Sequence, residues 1–259
     1  MDTIEIQRIV EVEDDNWWYR ERRRVVAREL RRTGGSGLAV DIGAAGGGNT
    51  RVLKDHGWQA IAVDSSETAV DLCMAQGIDA YHGDACFLPL PSGEQDLALA
   101  LNVLEHVDDD RAAASEIARI LRPGGTALIS VPCDMALWSA HDVALGRVRR
   151  YSRRALTDLL EEAGLAVDRM WSWNVLLRPL VRLRRHRSAH YEDMAHLHPF
   201  LNETLHMVAA LERRLPVKTW PDVTLVPPAA HLTRGTAHRR QARILPRVSP
   251  MDHEDEPTA

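Results

Sequence analysis

The feature that most constrains this chain is a glycine-rich turn placed between a short apolar run and a helix start. Val40-Asp41-Ile42 runs directly into Gly43-Ala44-Ala45-Gly46-Gly47-Gly48-Asn49-Thr50. Small residues there let the backbone take positive φ and approach a ligand closely. In open α/β sheets, ligands bind at that end of a strand. The surrounding pattern extends the reading. Short apolar stretches at Leu38 to Ile42, Gln59 to Val63, Ala80 to His82, Leu97 to Leu101 and Ala127 to Val131 alternate with helical stretches at 47–56, 66–76, 108–121 and 154–163. A last strand is expected at Leu165 to Trp173. Such alternation predicts parallel βαβ units whose strands are buried on both faces. The expected fold class is α/β, a Rossmann-like doubly wound, mostly parallel sheet.

Outside that pattern, residues 3 to 32 read as one helix ending at Thr33-Gly34-Gly35-Ser36-Gly37. Asn174 to Arg187 is a basic amphipathic stretch, and His196 to Leu215 reads as a helix. From about Arg234 hydrophobic periodicity is lost, and the acidic end reads as a disordered tail. Composition excludes several classes. A formal charge of −5, 45% hydrophobic and 27% charged residues are ordinary globular usage. The three cysteines, Cys73, Cys86 and Cys133, have no paired spacing, which argues against a disulfide framework or a cysteine zinc site. No apolar run reaches the ~20 residues of a membrane span, and the N-terminus lacks an apolar leader, so the expected location is cytoplasmic. Only Lys54 and Lys218 are lysines, which narrows any lysine-based mechanism to two positions.

Asp64 lies 21 positions after Gly43, where an acid can bridge two ribose hydroxyls. The turn and this acid together point to an adenosine-containing cofactor. Gly83-Asp84-Ala85 closes the third strand, where a carboxylate can accept from an adenine amino group and the next N–H can donate to the ring. Asn102-Val103-Leu104-Glu105-His106 closes the fourth, and Leu121-Arg122-Pro123-Gly124-Gly125 precedes the fifth.

On these segments the chain resembles the class I S-adenosylmethionine-dependent methyltransferases, within their small-molecule group of type 11/25, over roughly residues 16 to 175. The resemblance implies S-adenosyl-L-methionine as cofactor. It implies cofactor-binding roles for Asp41, Gly43, Gly47, Asp64, Ser65, Asp84, Ala85, Asn102 and Tyr19. Ala45 stands where the family has a second glycine; its added methyl is expected to be tolerated. A nicotinamide-dependent oxidoreductase uses the same turn and ribose acid. There too Ala45 replaces a glycine, at a point where backbone must approach a pyrophosphate, and neither lysine lies near a suitable tyrosine. A non-catalytic cofactor-binding protein is a third reading.

Acceptor chemistry is expected near the fourth-strand end. His106 is the first candidate base, with capping and cofactor lining as the alternative. The loop after the fifth strand, with Trp138, His141, Asp142, Arg150 and Tyr151, resembles one that covers the acceptor pocket in a methyltransferase subgroup. His141 and Asp142 are candidates for a base pair; Trp138, Arg150 and Tyr151 for acceptor contacts. Arg147 stands where that subgroup carries His, so no catalytic role is transferred to it. Some relatives bind a divalent ion through Glu-x-x-Glu-His; here the first acid is Asn102, and no metal is expected. Trp17, Trp18 and Tyr19 resemble an N-terminal lid, with Trp17 and Trp18 as acceptor contacts.

The expected organisation is a helical lid at 1–36, a cofactor-binding core at 37–173, a helical extension walling the acceptor pocket at 174–233 and a tail at 234–259. The expected partner is a small-molecule acceptor carrying a hydroxyl, amine or reactive carbon, with an anionic or secondary-metabolite acceptor in view and no nucleic acid. Eleven arginines against four acids between 147 and 187 give that segment a charge of +7. The arginines of 174–187 interleave with leucine and valine. That pattern suits a solvated helix face, or a helix on lipid headgroups.

Overall fold

A computed structural model describes residues 3–173, 176–177, 198–212 and 223–226. Two helices open the chain, α1 (Thr3–Val12) and α2 (Trp17–Thr33). The single helix expected over 3–32 is broken because Asn16 accepts the Trp18 N–H on its side chain at 2.9 Å, capping α2 and ending the turn after α1. There follow β1 (Leu38–Ile42), α3 (Gly48–Asp55), β2 (Gln59–Asp64), α4 (Glu67–Ala75), β3 (Ala80–His82), β4 (Gln95–Leu101), α5 (Asp110–Ile120) and β5 (Leu121–Ser130). A short loop helix α6 (Ala140–Ala144), α7 (Arg153–Glu162), β6 (Arg169–Trp171), α8 (Pro199–Glu212) and β7 (Val223–Val226) complete the described elements.

The sheet order is β3-β2-β1-β4-β5-β7-β6. β1 to β5 pair in parallel, and β7 runs antiparallel to both neighbours. This is the expected doubly wound α/β sheet. Strand order reverses between β1 and β4, the point at which such sheets bind ligands. β7 falls inside the 174–233 stretch expected to be helical. Its four residues, Val-Thr-Leu-Val, favour extended backbone, yet so short a run becomes a strand only when a distant edge pairs with it. β6 is shorter than the Leu165 to Trp173 run expected. The basic stretch at 178–187 and the tail lie outside the described residues.

Both faces of the sheet are covered because the side chains of β4 alternate. Ala98 and Ala100 join Val40, Ile42 and Ile129 against Ala113, Ala114 and Ile117 of α5 and Leu156 and Leu160 of α7. Leu97, Leu99 and Leu101 face the other way, onto Leu53, Trp58 and the Val25, Val26 and Leu30 stripe of α2. Helix α2 therefore packs into the main core through Val25, Val26 and Leu30. Trp17, expected at the acceptor, is buried with Leu177, Leu205 and Ala209, and its N–H donates to Asn202 of α8 at 2.8 Å. Among the described residues no helix is long and apolar enough to cross a membrane.

Candidate functional site at the strand switch point

The glycine turn leaves β1 with Gly43 at φ +69° and enters α3 with Gly47 at φ +80°. The Gly43 N–H donates to the Val63 carbonyl at 2.8 Å, tying the turn to β2. A side chain at Gly43 would meet Val103 at 2.7 Å. Ala45, the departure from the all-glycine pattern, sits at φ +48°, and its N–H donates to Asp64 Oδ2 at 2.9 Å. Helix α1 lies along the turn: side chains at Gly46 and Gly48 would run into Val10 and Glu13. Glu13 is buried there beside Arg51, at 3.1 Å, and burial raises its pKa.

Beneath the turn, Asp41 is 1% exposed and accepts the Thr50 hydroxyl at 2.7 Å. Burial pushes its pKa up to about 6, against the opposing pull of Thr50 and Arg22. Asp64, at the end of β2, accepts Ala45 N–H on one oxygen and Ser66 N–H on the other, each at 2.9 Å. Each oxygen retains a lone pair, so a ribose diol can still be held. Ser65 is exposed beside it, its carbonyl 3.0 Å from His82 Nε2. Asp84 is exposed with one oxygen engaged by the Cys86 N–H at 2.8 Å. The Ala85 N–H has no partner among the described residues. A free N–H next to an acid is the donor and acceptor pair an adenine edge needs. The donor set at this half of the sheet fits an adenosine.

The end of β4 is built differently. Asn102 sits at φ +63°, a strained backbone of the kind found at functional sites. Its side-chain amide donates to Glu105 Oε1 at 2.9 Å. Glu105 is wholly buried, and its Oε2 has no partner. Burial pushes its pKa up to about 7, with Arg147 and Asn102 acting in the other direction. His106 Nε2 lies 3.9 Å from Glu105 Oε1, its side chain 26% exposed. Burial, with Arg147 adding to it, pushes the ring down to about 4, so the imidazole is neutral at physiological pH.

The loop after β5 closes over this end through its own ion pairs. Asp142 is 0% exposed; its Oδ1 receives Arg147 at 2.9 Å and Arg150 at 2.7 Å, and its Oδ2 receives the Ser139 N–H at 3.0 Å. A carboxylate so engaged anchors the loop; His141, its expected partner as a base, is half-buried on the same short helix α6. Arg150 is buried and also donates to the Cys133 carbonyl at 2.8 Å. The Tyr151 hydroxyl stands 2.8 Å from Asp110 and 3.0 Å from the Leu104 carbonyl, and burial and Asp110 raise its pKa far above the phenol range. Arg150 and Tyr151, expected to touch the acceptor, are thus turned inward to fix the loop. Arg147 adds the link to β4, with Asp142 on one side and Glu105 at 3.9 Å on the other. Trp138 stays half-buried on the same loop.

Facing these strand ends, α2 presents Trp18 and Tyr19, stacked edge to face at 5.0 Å, with Trp18 also 5.9 Å from Trp173. Arg22 lies over both rings, 4.8 and 5.2 Å from their centroids. Arg22, Glu105, Glu13 and Arg147 were not among the expected site residues. Arg22 is hidden in sequence by a run of arginines. Its spacing of four from Trp18 and three from Tyr19, which puts all three on one helical face, is the signal that separates it.

Comparison with known proteins agrees with this geometry. A family model described as a methyltransferase domain matches residues 18–169. A Mycolicibacterium smegmatis protein named "Probable S-adenosylmethionine-dependent methyltransferase" is 31% identical over 159 residues, 60% of this chain and 62% of its own. The ubiquinone biosynthesis O-methyltransferase of Methylococcus capsulatus is 32% identical over 99 residues, 36% of this chain and 42% of its own. The chain thus spans less than two thirds of the length of these curated relatives. Among solved structures, the Haloferax volcanii methyltransferase bound to the Trm112 activator superposes with a TM-score of 0.62 at 17% identity, covering 90% of this chain and 97% of that one, a likeness of fold. The family match covers more than half the chain and includes the whole glycine turn and the ends of β2 and β3. On that ground the chain belongs to the class I methyltransferases that use S-adenosylmethionine as cofactor.

Proposed function

We propose that the chain transfers a methyl group to a hydroxyl oxygen of a small acceptor seated between the β4 end, Trp18 of α2 and Trp138 of the loop after β5. The observation that carries this reading is His106: neutral and partly open, it stands beside groups that are otherwise engaged internally. Oxygen as the methylated atom is supported by the relative named as an O-methyltransferase. In this reading Gly43, Gly47, Asp41, Tyr19 and Asn102 surround the methionyl half of the cofactor. Asp64 and Ser65 hold its ribose, and Asp84 with the Ala85 N–H reads its adenine. S-adenosylmethionine supplies an electrophilic methyl on a sulfonium whose charge disappears as the carbon–sulfur bond breaks and the carbon–oxygen bond forms.

The protein's own contribution is placement and exclusion of water, which can supply most of such a rate. A ring with a pKa of about 4 is a weak base, so His106 orients the acceptor hydroxyl by accepting its hydrogen bond. The hydroxyl proton leaves through that contact as the oxygen is methylated. Such assistance suits an acidic hydroxyl, such as a phenol or enol, better than an aliphatic alcohol. The core at 37–173 carries the cofactor, and the helices at 1–36 form a wall continuous with it.

The test is an acceptor library with radiolabelled methyl donor, followed by mass spectrometry of the product. Label on oxygen of a phenolic or enolic acceptor is expected; label on nitrogen or carbon alone replaces the acceptor assignment and leaves the family untouched. His106→Ala should lower turnover about tenfold with cofactor affinity unchanged. Unchanged turnover would return His106 to a structural role.

A further inference from the structure

Arg22 carries a feature that the cofactor-binding residues above leave unexplained. Among the described residues its guanidinium makes no hydrogen bond and no ion pair, and its Nε is sealed from solvent without a partner. Only the faces of Trp18 and Tyr19 hold it. Asp41, Glu13 and Glu105 all act on it electrostatically, yet none comes within ion-pair distance. Each of them already has another partner, in Thr50, Arg51 and Asn102 respectively. A guanidinium offers five donors in a fixed plane and matches a carboxylate two bonds at a time. The residue is half-buried, with Nε closed off from solvent; losing part of its water without gaining an anion is unfavourable, and burial accordingly lowers its pKa. A cation kept on aromatic faces, close to but out of reach of three acids, is arranged for an anion that none of the described residues supplies.

We infer that Arg22 binds the α-carboxylate of the methionyl half of the cofactor, with Asp41 on the ammonium side of the same amino-acid group. The assignment rests on the established cofactor and adds the contact that joins α2 to it. The consequence is coupling. Trp18 and Tyr19 share a helical face with Arg22, so a cofactor that seats the guanidinium also fixes the aromatic wall on the acceptor side.

The test is calorimetry on the full chain with three cofactor-derived ligands. S-adenosylhomocysteine carries the whole amino-acid group, its decarboxylated analogue lacks only the carboxylate, and 5′-methylthioadenosine lacks the amino-acid group altogether. Wild type should bind the decarboxylated analogue about 10- to 100-fold more weakly than S-adenosylhomocysteine. Arg22→Gln should weaken S-adenosylhomocysteine by a similar factor and leave methylthioadenosine within about twofold, and Arg22→Lys should restore part of the loss. Equal wild-type affinity for S-adenosylhomocysteine and its decarboxylated analogue would overturn the assignment, and that comparison needs no variant to fold. An Arg22→Gln loss shared by methylthioadenosine would also overturn it, making Arg22 a support of the helix. Failure of wild type to bind any of the three would instead count against the cofactor itself.

Discussion

The two halves of the crevice treat their polar groups in opposite ways. On the side proposed for the cofactor, from the glycine turn to Ala85, groups are left with capacity: Asp64 accepts two N–H groups and keeps lone pairs, and the Ala85 N–H is free among the described residues. On the loop side, Asp142 takes both Arg147 and Arg150, Arg150 also reaches the Cys133 carbonyl and Tyr151 reaches Asp110, so most of the polar capacity is spent within the chain, Arg147 Nε and Glu105 Oε2 being left over. Both halves are rich in charged residues, so charge alone does not mark a binding surface. What separates them is whether the folded chain supplies the partners.

That contrast predicts opposite responses to removing a carboxylate. Asp142→Ala leaves the buried Arg150 without its anion and the half-buried Arg147 with Glu105 alone, and should cost about 3–5 kcal/mol of stability, while the protein that remains folded keeps its affinity for S-adenosylhomocysteine. Urea unfolding followed by calorimetry measures both; a fall in turnover at unchanged stability would show the loop to be chemical after all. Asp64→Asn should do the reverse, weakening S-adenosylhomocysteine about 10- to 100-fold through lost charge-assisted ribose contacts, with a smaller loss of stability than Asp142→Ala because the new amide nitrogen faces one of the two N–H groups that Asp64 accepts. If it instead unfolds the protein without affecting affinity per folded molecule, the two halves do not differ as described.

A smaller effect should appear in the pH dependence of binding. Burial has raised Asp41 to about 6 from 3.8, so in the free protein it is mostly protonated at about pH 5 and ionised at about 7.5. An ammonium group binds the ionised form better, so cofactor affinity should rise over that interval, with proton release on binding. Asp41→Asn should flatten the curve. A flat wild-type curve would remove Asp41 from the ammonium side. The smallest change is Ala45→Gly. Positive φ is unfavourable for alanine, and glycine has more conformational freedom to lose on folding, so the net gain should be about 0.5 kcal/mol, read from denaturant midpoints. A loss would mean that the Ala45 methyl contributes packing.

The geometry of the glycine-turn half was legible because its signals are local. Asp41, Gly43, Gly47 and Asp64 derive their positions from a strand, a turn and a helix start that follow one another in the chain. The loop half was not, since Asp142 and Arg150 lie close in sequence, but whether they face an acceptor or each other depends on how the loop docks on β4. Glu105 was visible as part of a strand-end motif, but its unpartnered oxygen arises only when Asn102 and Arg147 are brought around it.

The amino-acid sequence by itself determined the parallel alternation, the glycine turn and the acid at the end of β2, because hydrophobic period and backbone freedom act over a few residues. Tertiary structure alone decided that Val223–Val226 enters the sheet between β5 and β6 and that Trp17 belongs to packing. It also decided that Arg22, one arginine in a run of many, has no anion partner among the described residues. Those outcomes depend on which distant groups arrive as partners, and the strength of a buried charge or an edge strand is set by its partners.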